Sequence, residues 1–220
     1  MKEKLFCLLF AAALALGLTA CGSKKENVRL SGMDAMTALK TAKLLSFDGS
    51  LNDTDAPVEI VADKQIVGQM QADEADPKDI GMLFLLDGEQ QLRYKIITTG
   101  KIVQDSSIDA TYGCFDTEGR CYGYIQLRHD GGNSWYVFLD PIGDEKEYRL
   151  TSDLKQFYKT ENAKASICTV ERKLDDVMTH DFQIKIKNES SDIKVDYYDK
   201  LGVYWIAWNA LREGYSYLLG

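Results

Sequence analysis

The chain has 220 residues, 45% of them hydrophobic, with 26 Lys and Arg against 34 Asp and Glu. That hydrophobic share and only three prolines exclude an intrinsically disordered chain. The acidic balance, with no cluster of Lys or Arg, excludes the basic footprint that nucleic-acid binding requires, and composition alone offers no electrostatic help in docking on anionic lipid.

Met1 to Lys4 carries two lysines against one glutamate, and Leu5 to Leu18 then runs without a charge. A spanning helix needs about 20 apolar residues, whereas a run of about 10 to 14 is the length of a signal-peptide core. The run ends in Leu18, Thr19, Ala20 and Cys21. This ending resembles the lipobox of bacterial lipoproteins, with a branched apolar residue three positions before the cysteine and a small one beside it. The resemblance implies that residues 1–20 are a signal peptide that is cut away. It also implies that the Cys21 sulfur carries a diacylglycerol group, with membrane lipid as the first partner and the extracytoplasmic face of the cell membrane as the location. Two acyl chains, at about 0.8 kcal/mol per buried methylene, hold a protein stably, so Cys21 suffices as sole anchor. The competing reading is an ordinary secretory signal with a cysteine near its cleavage site. Residues 21–30 comprise the lipidated cysteine and a tether, since Gly22 to Asn27 is small and polar.

Residues 31–220 read as a single β-rich domain, with a weak boundary near Lys101 to Ala110. Ser31 begins a helical pattern in which Ala35, Met36, Leu39 and Ala42 recur on one face, predicting a helix over 32–44. Beyond it the apolar period falls to two. Hairpins are predicted around Ala62 to Lys64, around Asp87 to Gln90 and around Asp130 to Asn133, with Trp135 to Leu139 apolar on both faces and so central in its sheet. Leu154, Phe157 and Tyr158 stand at helical spacing behind Ser152, predicting one short additional helix. Phe182 to Tyr198 is predicted to fold as a hairpin with Ile186 opposite Val195 and Lys185 opposite Asp196. The fold class is therefore mainly β, an antiparallel sandwich or barrel with an N-terminal helix.

Cys114 and Cys121 flank a predicted four-residue loop, Asp116 to Gly119, so the two face each other across the ladder and a disulfide or a pair of reduced thiols fits. Six intervening residues are too many for a C-x-x-C zinc or redox motif. Cys168 in a strand is small core filler. Asp176 and His180 share a face on a helical turn and are weak metal candidates, read against a polar loop with no further ligand. His129 precedes a glycine-rich turn and is solvated. No serine-hydrolase, zinc-protease or phosphate-loop motif is present, so no catalytic residue and no cofactor is assigned. Seven aromatics lie within Tyr197 to Tyr217. Either they pack a central strand from Val203 buried on both faces, or Tyr198 and Trp208 form a platform for sugars or peptide side chains. The functional expectation is a lipid-anchored binding or interaction module with an envelope protein or glycan as partner. A carboxylate-using envelope hydrolase and a structural or inhibitory protein are the alternatives.

Overall fold

The computed structural model describes residues 27–50, 56–72, 81–86, 91–96, 107–176, 181–189 and 192–219. The chain forms β1 (Val28–Arg29), α1 (Gly32–Thr41), β2 (Leu44–Ser50), β3 (Val58–Ala62), β4 (Gln65–Ala72), β5 (Gly81–Leu86) and β6 (Gln91–Ile96). It continues through β7 (Ile108–Asp116), β8 (Cys121–Asp130), β9 (Asn133–Leu139), β10 (Glu145–Thr151), β11 (Gln156–Lys159), β12 (Asn162–Asp176), β13 (Asp181–Asn188) and α2 (Tyr197–Leu219). Each strand from β2 to β13 pairs antiparallel with its neighbours, and pairing of β4 with β5 closes the sheet into a barrel. Among the described strands only β1 stands outside this ring, parallel to the start of β4. Strands on both sides of Lys101 to Ala110 belong to the same sheet, since β6 pairs with β7.

Alternation of side chains gives the barrel an apolar inside and, around β2, β3 and β13, a polar outside. Leu45 and Phe47 point inward from β2 and Phe182, Ile184 and Ile186 from β13, while Gln183 and Lys185 stand between the latter on the other face. The β3–β4 turn is made by Asp63 and Lys64, both at positive φ (46° and 75°), a pair of left-handed conformations that matches the twist of a tight hairpin. Asp63 also fixes this turn to the start of β2, accepting hydrogen bonds from the backbone N–H groups of Lys43 and Leu44 at 3.0 and 2.9 Å. The hairpin at Gly131 and Gly132 falls where its sequence predicts, with Asp130 opposite Asn133.

The apolar run around Val203 to Trp208 is not a strand. It is the middle of α2, which enters the barrel and fills the lumen. Leu201, Val203, Tyr204 and Ala207 are fully buried and Trp205 nearly so, around the whole circumference of the helix. Phe47 of β2 stacks on Tyr204 with ring centroids 3.7 Å apart, while Tyr94 of β6 and Tyr112 of β7 pack on Trp205. Walls on opposite sides of the barrel thus grip the same helix, and a helix apolar all round needs such an enclosure. At Gly202 the fit leaves no room for a side chain, because a Cβ there would lie 2.6 Å from Ile125 and 2.7 Å from Tyr94.

Three further expectations are corrected. β13 pairs with β12 and β2, so Lys185 faces Glu171 and Ser46 rather than Asp196, and Val195 belongs to the loop leading into α2. No helix forms behind Ser152. There, Thr151 Oγ1 and Asp153 Oδ1 accept backbone N–H groups of Lys155 and Gln156, Leu154 turns to positive φ (57°) with its side chain buried, and Gln156 starts β11; such local side-chain bonds compete with helix formation. The second helix of the fold is α2 instead. α1 ends at Thr41, and Ser31 at its N-cap makes no side-chain capping bond.

Candidate functional site

Because strands alternate in direction, all the turns and helix ends fall at one of two barrel ends. At one end gather the starts of β2, β4, β8 and β10, the loop after β13 and the first turn of α2. A cleft of about 450 Å³ opens there, lined by Glu145, Lys146 and Glu147 of β10, by Lys159, Thr160 and Glu161 around the β11–β12 turn, and by Asp192 and Ile193 before α2.

One wall of the cleft is built from a buried charge network. Lys146, Tyr148 and Leu150 share the inward face of β10, which puts a lysine where the pattern calls for an apolar residue. Its ammonium answers with three partners: Asp196 Oδ2 at 2.8 Å, Asp199 Oδ2 at 2.6 Å and the Tyr198 ring, whose centroid is 4.4 Å away. The Tyr148 hydroxyl donates to Asp199 Oδ2 at 2.5 Å, the Tyr198 hydroxyl donates to Asp196 Oδ2 at 2.8 Å, and Tyr94 donates to the Tyr198 carbonyl.

Electrostatics follow from this enclosure. Burial pushes Asp199 up to about 6, against the pull of the Lys146 ammonium. Lys146 loses solvation too, but Asp199 and Asp196 outweigh that loss and hold it above the ordinary lysine range. Burial and the neighbouring carboxylates raise the Tyr148 hydroxyl far above its usual range, and burial with the Asp196 bond raises Tyr198. At the lip, burial would raise Glu145, yet Arg128 at 2.5 Å and Arg149 at 3.2 Å more than offset it and hold the carboxyl below its usual range. Lys200, one residue on from Asp199, is itself 4% exposed, and burial holds its ammonium below the lysine range.

Among the residues singled out from sequence, Tyr198 lies in this network, half-buried, while Trp208 is 5% exposed in the lumen and has no face free for a ligand. Cys114 and Cys121 do not face each other. Asp116 closes the turn with Arg120, its N–H donating to the Arg120 carbonyl at 3.0 Å, so the loop is one residue shorter than predicted and the register sets Cys114 against Gly123 and Cys121 against Phe115. Both are free thiols, as is Cys168, whose Sγ lies 3.0 Å from Asn188 Oδ1 in the core and whose thiol burial pushes up to about 11. His129 is on β8 rather than in a loop, its Nδ1 3.0 Å from Asp109. Asp176 ends β12 opposite Asp181, so it lies in a ladder rather than on a helical turn, while Cys21 and His180 lie outside the described residues. Among the described residues no three His, Cys, Asp or Glu side chains gather as a metal site, and no helix is long and apolar enough to cross a membrane.

Sequence reasoning passed over Lys146, Tyr148, Asp196 and Asp199 because they carry no motif. A signal was present. A lysine in step with inward Tyr148 and Leu150 is a buried charge that demands a partner, and Asp199 at the head of an apolar run is the same demand in reverse. The chain matches no family model, no curated protein and no solved structure.

Proposed function

We propose that this protein is a lipid-anchored extracytoplasmic binding module, held on the cell membrane by acylated Cys21, with the rim cleft as its ligand site. The observation that carries the reading is the division of space. α2 occupies the lumen, so room for a ligand lies at the rim, and 450 Å³ is within the range of about 300–1,000 Å³ that small-molecule sites take. The cleft offers Thr160 and Lys159, the latter 3.9 Å from Asp192, beside the acids Glu145, Glu147 and Glu161, a predominantly acidic lining suited to a ligand that carries an amine as well as a carboxylate, such as the stem peptide of a cell-wall glycan. The Lys146 network makes one wall of the cleft rigid, which limits the ordering that binding must bring about.

Thermal unfolding of the mature acylated protein, beginning at Cys21, with and without a disaccharide-tetrapeptide fragment of peptidoglycan tests this. The expected result is a rise in Tm that Glu161→Lys abolishes, since Glu161 is exposed and its replacement leaves the fold alone. No rise refutes binding of this ligand and leaves a structural or inhibitory role, while a rise that survives the substitution refutes the cleft as the site. The hydrolase reading draws on Asp199, an acid whose proton leaves near pH 6. Its Oδ2 is already shared by Lys146 and Tyr148 and its side chain is only 3% exposed, so binding is the better reading.

A further inference from the structure

Among the described residues three large apolar side chains are exposed: Val28 (64%), Met33 (85%) and Ile142 (84%). Singly, such residues need no explanation. All three, however, lie at the barrel end that holds the cleft. Val28 is on β1 beside the start of β4, and Met33 is in the first turn of α1, which packs on β4 and leads into the start of β2. Ile142 is at the tip of the β9–β10 turn, where Asp140 Oδ1 accepts from the N–H groups of Ile142 and Asp144 at 3.0 and 2.9 Å and sets the tip outward. Five strands separate β4 from β10 whichever way the ring is followed, so these side chains stand on opposite sides of the rim.

The same end is where the tether arrives. From Cys21 to Val28 is seven residues, at most about 25 Å fully extended. Charge divides around the rim as well. Exposed Arg29, Lys40, Lys43 and Lys64 surround the β1–α1 corner, against Asp34, Glu59 and Asp63. Glu59 is engaged with Arg29 at 2.9 Å, and Asp63 with the backbone of Lys43 and Leu44. Among the described residues this corner holds four bases against three acids, with Arg29 and Glu59 neutralising each other, while Asp140, Asp144, Glu145 and Glu147 make the Ile142 side of the same end acidic.

We propose that this end of the barrel stands on an anionic lipid bilayer, with Met33, Val28 and Ile142 among the headgroups and the basic corner against their phosphates. The proposal rests on acylation of Cys21. Contact on both sides of the rim holds the barrel axis upright, where a tether alone would leave it free to tumble. Asp140 and Asp144 beside Ile142 make that side the shallower contact. The cleft then opens at the membrane surface, and its ligand is met there.

The test uses the mature acylated protein in vesicles of phosphatidylglycerol and phosphatidylethanolamine with brominated acyl chains, which quench tryptophan on contact. Met33→Trp and Ile142→Trp are each compared with Ser152→Trp, an exposed position in the turn at the opposite end. Added emission at Met33 and Ile142 is expected to be lost and that at Ser152 kept, after subtraction of the emission of the unaltered protein, to which buried Trp205 and Trp208 and half-buried Trp135 contribute. Palmitate labelling of the same samples separates two failures. Labelled protein with unquenched Met33→Trp and Ile142→Trp overturns the docking alone, whereas unlabelled protein overturns the anchor and the docking with it. Quenching of Ser152→Trp as well, or emission that shifts with protein concentration but not with bromine, means a barrel on its side or two paired copies, and either overturns the proposal.

Discussion

Lys146→Met is expected to lower the free energy of unfolding by about 3–5 kcal/mol near neutral pH, measured by urea denaturation. Methionine keeps most of the volume, so the loss isolates the charge. It leaves Asp199, 3% exposed at its side chain, with the Tyr148 hydroxyl as its remaining strong partner. In the unaltered protein burial already raises Asp199 to about 6, and Lys146 is what keeps it from rising further. Without the ammonium, the native carboxyl holds its proton to still higher pH while the unfolded one titrates near 3.9. A group that binds its proton more tightly when folded makes stability fall as pH rises between those two values. For the unaltered protein that fall ends near pH 6, but for the variant it continues. The gap between the two should therefore widen above about pH 6 and shrink below it. Lys146 itself, raised above its usual range, contributes its full stabilisation at every pH below the ordinary lysine value, so it does not blur this window. A gap that stays level between about pH 5 and about pH 8 would mean that Asp199 is not the group left exposed by the change.

Period-two patterning made the strands and the tight turns legible, because a residue's neighbours two places away report the same face. Asp63–Lys64 and Gly131–Gly132 are turns by local chemistry alone. The second half of the fold was less readable for a definite reason. A run apolar on every side fits a central strand or an enclosed helix equally well, and periodicity cannot choose between them. The apolar–polar alternation of Ile193 to Tyr197 likewise fits a second strand against β13, although these residues form the approach to α2 and its first residue. Length was the available arbiter. Tyr197 to Leu219 holds no proline and spans far more than a strand. The charge network was hidden for another reason. Lys146 meets Asp196 and Asp199 only because α2 enters the lumen at the end where β10 begins, a relation about fifty residues long in sequence that no spacing rule describes.

Trp205→Ala is expected to cost about 3–5 kcal/mol, because it removes a tryptophan only 1% exposed from a lumen site that cannot collapse. Tyr94 and Tyr112 pack on the indole from β6 and β7, and strands closed into a ring have no freedom to move inward after the truncation. An apolar cavity of that kind stays dry and accepts small aromatic molecules. Free indole should therefore raise the Tm of the variant while leaving the unaltered protein where it was, by the ordinary linkage between ligand binding and stability. Two outcomes would tell against this. A loss below about 1 kcal/mol would mean that the site relaxes or that α2 does not fill the barrel. Stabilisation of the unaltered protein by indole would mean that space for an apolar ligand already exists inside. Either result would move the search for the natural ligand from the charged rim to the lumen, since the rim assignment depends on α2 leaving no other room.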